Sequence, residues 1–86
     1  MESWLRSRFE VVAGGWLRDD GATEDAFAFT SATGSRVLAP VRWFIETFGT
    51  VPIPPTATAL KAADPDDSLG WHQHIDAWVS QGIVQP

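Results

Sequence analysis

No cysteine occurs anywhere in the 86 residues, which excludes disulfides, thiolate nucleophiles and Cys-type zinc sites together. Basic residues are scarce: six Lys plus Arg stand against eleven Asp plus Glu, giving a formal net charge of −5. Proteins that grip a duplex neutralise phosphates with a basic footprint, and Asp64 to Pro86 contains no Lys or Arg at all. Nucleic acid is therefore a poor default partner. No apolar run approaches the roughly 18 residues of a membrane span, and the N-terminus carries no signal-peptide pattern. A cytoplasmic location with no membrane partner is the expectation. The phosphate-cradling patterns G-x-G-x-x-G and the P-loop are absent, no serine sits in a nucleophile elbow, and EF-hand spacing is missing. No catalytic residue, no cofactor and no metal are expected, so the chain reads as a non-enzyme.

What is present is the composition of a globular chain, 44% hydrophobic and 20% charged. Eighty-six residues suffice for one domain with a modest core and are too few for two, so residues 1–86 are read as a single domain. Residues 8–39 are β-rich. Arg8 to Val12 is short, aromatic and β-branched; Gly14-Gly15 predicts a turn, and Trp16-Leu17-Arg18 predicts a return strand ending at Asp19-Asp20-Gly21. Phe27 and Phe29 share one face at period two, opposite Ala26 and Ala28. Ser31-Ala32-Thr33-Gly34 then reads as a hairpin loop with Gly34 left-handed, and Ser35 to Leu38 as the returning strand.

Helices follow at about 40–48, 56–63 and 65–81. Val41, Phe44, Ile45 and Phe48 recur at i, i+3, i+4 and i+7 behind Pro40, and Gly49 supplies a stop. Thr56 to Ala63 is alanine-rich. Asp64-Pro65-Asp66-Asp67 has the pattern of a helix start, with Trp71, Ile75, Trp78 and Val79 as the apolar stripe and Gly70 as an interruption. Ile83-Val84 is short enough to close the chain as a strand. Strands followed by three helices describe an α+β domain of winged-helix type.

One cluster suggests chemistry: Trp71-His72-Gln73-His74-Ile75-Asp76. On a strand, His72, His74 and Asp76 would share a face fit for a metal. On the helix expected here, His74 is turned about 200° from His72, leaving His72 and Asp76 as an i, i+4 surface pair. Asp64, Asp66 and Asp67 read as a capping cluster. Trp43 falls off its helix stripe, as either a partial cap on the core or an anchor for a partner.

The stretch Phe27 to Gln85 resembles a known family. A hairpin runs through Val37-Leu38-Ala39-Pro40 into a helix ending at Phe48-Gly49, a short helix follows, and the last helix closes with Trp78-Val79-Ser80-Gln81-Gly82-Ile83-Val84. This order is similar to the RiPP recognition elements, winged-helix domains that include the peptide chaperone of pyrroloquinoline-quinone biosynthesis. Where that family often has asparagine after the leucine, Leu38 is followed by Ala39-Pro40. The resemblance implies recognition of a precursor (leader) peptide that adds as a strand to a sheet edge and is presented to a maturation enzyme. The implied edge is Ser35, Arg36, Val37 and Leu38, with Arg36 free to meet an acidic peptide residue. The implied groove wall is the helix face of His72, Ile75, Asp76 and Val79. Two other classes compete: a small acidic adaptor or inhibitor of phage type occupying a basic site on a larger protein, and a winged-helix nucleic-acid binder, disfavoured by charge.

Overall fold

The alternation of small and large residues through Ala26-Phe27-Ala28-Phe29 builds the central strand. In the computed structural model, which describes residues 1–86, this strand is β2 (Thr23–Thr30). It lies between β1 (Glu10–Leu17) and β3 (Arg36–Pro40) in one antiparallel sheet of order β1-β2-β3. Helix α1 (Glu2–Arg8) precedes the sheet; α2 (Val41–Phe48), α3 (Ala57–Ala63) and α4 (His72–Ser80) follow it. The domain is α+β and winged-helix-like. No helix is long and apolar enough to cross a membrane.

Phe27 and Phe29 turn the same way and meet the helices. Phe44 of α2 reaches Phe27 at 4.9 Å between ring centroids, while Trp78 of α4 reaches Phe29 at 5.3 Å and Phe9 at 5.1 Å. All five phenylalanines are buried in this one cluster, together with Trp71 and Trp78. On the opposite face Ala26 pairs with Val12 and Pro40, and Ala28 with Glu10 and Leu38. The small alanines let these flanking residues close over them, and Glu10 of β1 reaches Arg36 of β3 at 3.1 Å.

The hairpin between β2 and β3 forms as the sequence predicts. Ser31 donates its N–H to the Ser35 carbonyl at 2.8 Å, Gly34 donates to the Ser31 carbonyl at 3.0 Å, and Gly34 has φ +86°. This is a type I turn closed by a left-handed glycine, one of the favoured three-residue loops.

The first strand departs from expectation. Gly14-Gly15 is no turn: β1 runs straight through it, and the pairing with β2 shifts between Val12 and Trp16. The glycines absorb a bulge. Gly14 takes φ +64°, and a Cβ on Gly15 would lie 2.8 Å from Val12 Cγ1 and 3.0 Å from the Val12 carbonyl oxygen. Gly15→Ala is therefore expected to cost about 1–3 kcal/mol in urea unfolding, since neither a β-branched side chain nor the backbone moves freely aside. A neutral result would mean the bulge is absent in solution.

Other boundaries also move. Residues 2–8 form α1 although they carry no repeating apolar stripe: only Leu5 is buried, and Glu2 and Arg6 pair across one turn at 3.0 Å. The middle helices agree with the expected 40–48 and 56–63 to within a residue, with Thr56 Oγ1 accepting from the Ala59 N–H at 3.2 Å as a cap. The last helix starts at His72, not at Pro65. Two left-handed residues, Asp67 at φ 51° and Gly70 at φ 71°, hold 64–70 in successive turns. Ile83-Val84 forms no strand; the end of the chain makes a single bridge, Gln85 to Thr56.

Candidate functional site

A three-stranded sheet has two edges, and the sequence treats them differently. The β1 edge is broken by its bulge, a device that spoils a template for further pairing. The β3 edge is regular from Arg36 to Pro40. Antiparallel residues alternate between bonded and non-bonded pairs, and the Ser31–Ser35 bond sets the phase. Phe29–Val37 and Phe27–Ala39 are then the bonded pairs. The N–H and C=O groups of Arg36 and Leu38 point outward instead. Pro40 has no N–H and begins the turn into α2, so the open edge is short and has a fixed end.

Side chains along this edge divide by face. Val37, opposite Phe29, is half-buried against the helical layer, whereas Arg36 and Leu38 lie on the other side. The four expected edge residues are therefore not equivalent. Ser35 is spent inside the loop, its carbonyl on the Ser31 N–H and its N–H on Ser31 Oγ at 3.1 Å. Val37 offers a side chain but no free backbone group. Arg36 is not a free cation, because it already pairs with Glu10; both partners are largely exposed, so the pair is weak.

The expected groove wall on α4 is corrected by the structure. Ile75 is fully buried in the core and meets no solvent. Asp76 turns toward α3 and binds Lys61 at 2.6 Å. His72 Nε2 bonds the Asp64 carbonyl at 2.7 Å, so His72 and Asp76 do not form the surface pair. Val79 is half-buried against the core. The flank of α4 that faces the sheet carries His74, Trp78 and Gln81, spaced i, i+4, i+7. The His74 ring stands edge-on to Phe29 at 5.1 Å, and Gln81 donates to the Thr30 carbonyl at 2.8 Å.

Burial beside Phe29 holds the His74 pKa below its ordinary value of 6.5, partly opposed by the Asp67 carboxylate. Imidazole is thus neutral here at neutral pH. A depressed histidine pKa contributes stability that is complete above 6.5 and lost as pH falls through the folded-state value. His74→Gln is expected to flatten stability against pH in the window just below 6.5. Unchanged pH dependence in thermal melts would show that His74 is solvated.

A second polar cluster joins α3 to α4. Asp64, buried, accepts from the N–H and Oγ of Ser68 at 3.1 and 2.7 Å and from the Leu69 N–H at 3.3 Å. These bonds, led by the Ser68 hydroxyl, lower its pKa against the opposing effect of burial. Asp67 Oδ1 accepts from the His72 N–H at 3.0 Å and so satisfies the first free donor of α4. Ligand atoms of Asp64, Asp67 and His72 come within 4.8 Å of one another. Their bonds to the loop account for the arrangement, as turn and cap.

The chain matches no protein-family model, no curated protein and no solved structure.

Proposed function

We propose that this domain is a non-enzymatic, cytoplasmic recognition module that binds an extended precursor peptide by strand addition at β3 and hands it to a separate modifying enzyme. The observation that carries this reading is the unpaired outward backbone of Arg36 and Leu38 on a regular edge strand. Such an edge supplies affinity through main-chain hydrogen bonds, while pockets for alternate side chains supply selectivity. One set of peptide side chains would face Val37 and His74; the other would face Leu38 and the Arg36–Glu10 pair. The likeness of the Phe27–Gln85 stretch to RiPP recognition elements supports the precursor-peptide part of the reading.

The alternation along β3 gives this proposal a specific signature. Peptides selected against the intact chain from a random library are to be compared by amide exchange, free and bound. Arg36 and Leu38 amides should gain protection, while Val37 and Ala39, already bonded to β2, should change little. Protection that rises only on α2 around Trp43, with no selected peptide protecting Arg36 or Leu38, would remove strand addition and favour the acidic adaptor or inhibitor.

A further inference from the structure

At the far end of β1 the chain exposes a second kind of surface. Leu17 is 71% exposed, the most of any large hydrophobic residue in the molecule. Beside it Trp16 is half-buried and packs edge-on against Trp43 of α2, with ring centroids 5.2 Å apart. Trp43 in turn rests on the core, so Trp16 extends the aromatic cluster outward rather than closing it. With Arg18 and Arg42 these three residues line an open hollow of about 510 Å³. Neither Trp16 nor Leu17 is needed to cover the core.

The charges around the hollow decide what fits it. Arg18 pairs with Asp20 at 3.2 Å and Glu24 at 3.6 Å; Arg42 pairs with Glu24 at 3.2 Å and Glu46 at 3.9 Å. Asp19, on the rim, has no cationic partner. Within the hollow Arg18 and Arg42 balance Asp19 and Asp20; Glu24 and Glu46, paired to the same guanidiniums from just outside it, bring this charged group to a net −2 beside the indole pair, within a chain of net charge −5. An acidic ligand would be repelled. A second copy of the chain would bring the same negative field to the same surface.

We infer that this hollow is a docking surface for a basic segment of another protein, one that sets an aliphatic side chain on Leu17 and a Lys or Arg over the Trp16–Trp43 pair. Indole faces attract cations, and desolvated Trp and Arg groups are the residues in which interface energy concentrates. The acidic rim speeds encounter and fixes the sign of the partner. This surface is separate from β3. Trp16 and Leu17 lie on the opposite edge strand, and the register places Trp16 opposite Glu24 while Leu38 and Arg36 lie opposite Ala28 and Thr30, four and six residues further along β2. Those separations are about 13 and about 20 Å along the strand. Both surfaces can be occupied at once, and this one stands whether or not β3 binds a peptide.

The test is a titration of the isotope-labelled intact chain, followed by its indole N–H and backbone amide signals. The probes are an acetylated, amidated pentapeptide Lys-Leu-Lys-Leu-Lys and its counterpart Glu-Leu-Glu-Leu-Glu. The basic probe should shift the Trp16 and Trp43 indoles and the Leu17 amide, and the acidic probe should shift none of them. Raising salt from about 50 to about 500 mM should weaken binding about tenfold. Leu17→Ser, which keeps the fold, should weaken it by a similar factor. Four outcomes would each overturn the inference: equal response to both probes, insensitivity to Leu17→Ser, shifts confined to Arg36 and Leu38, or Leu17-dependent dimerisation in sedimentation.

Discussion

Phe44→Ala is expected to cost about 3–5 kcal/mol, enough to leave a domain of this size close to unfolded. Phe44 is fully buried, and its ring lies within 4.6–6.2 Å of the rings of Phe9, Phe27, Phe29, Phe48, Trp71 and Trp78. It is where the sheet, α2 and α4 meet, so no single neighbour can relax into the space it leaves. Ile45, its neighbour on the expected apolar stripe, is only half-buried and should cost about 1–2 kcal/mol when truncated. Trp78→Ala should fall below what its size suggests. Its buried indole N–H has no acceptor, and removing an unsatisfied donor offsets part of the cavity term. Urea unfolding of the three variants ranks them. Phe44→Ala no more costly than Ile45→Ala would show that the helical layer packs differently.

The fold was legible where periodicity and turn chemistry agreed. Phe27 and Phe29 at period two, Gly34 in its loop, and the stripe of Val41, Phe44 and Phe48 each pointed to the element that forms. Legibility failed where one residue type serves two purposes. A glycine pair terminates a hairpin or fills a bulge, and only the Thr23–Ala28 partner strand tells which: Gly15 is close against Val12 because β1 continues. The acidic run at Asp64 likewise matches a helix start. In the structure Asp64 binds a set of turns, Asp67 reaches forward to the His72 N–H, and the helix begins eight residues after Asp64 at His72. Helix α1 left no pattern to read, since one buried leucine in seven residues has no period.

The candidate site was half legible for the same kind of reason. The family resemblance implied an edge at Ser35 to Leu38, and β3 is an edge because β1 pairs with β2 and not with it. Which flank of α4 faces that strand does not follow from the stripe of Trp71, Ile75 and Trp78, because a buried stripe has polar residues on both sides. His72 and Asp76 lie on the flank toward α3 and its loop; His74 and Gln81 lie on the flank toward the sheet. The spacing of His74, Trp78 and Gln81 was visible, but the orientation of the helix on the sheet is a property of tertiary packing. The alternation of backbone groups was equally hidden until one hydrogen bond, Ser31 to Ser35, set its phase.

That phase makes two adjacent proline substitutions behave oppositely. Val37→Pro deletes an N–H that bonds to Phe29 and strips a side chain from the helical layer, so it should destabilise the hairpin by about 3 kcal/mol. Binding would then be lost for the wrong reason. Leu38→Pro deletes an N–H that points away from the sheet, where proline is tolerated on natural edge strands. Its cost to stability should stay near 1 kcal/mol, from the shift in φ and the loss of a side chain already 37% exposed. Its effect on a strand-adding peptide should be severe: one bridging bond disappears, worth about 0.5–1.5 kcal/mol, and the ring projects into the space the incoming backbone must occupy. Val37→Thr keeps β-branching and the N–H, and should change both properties only modestly. Calorimetric titration of a library-selected peptide, with melts of the same samples, separates the two effects. Leu38→Pro that stays folded and still binds at full affinity would rule out pairing along β3. Undiminished binding by Val37→Pro would show that the hairpin is not part of the site at all.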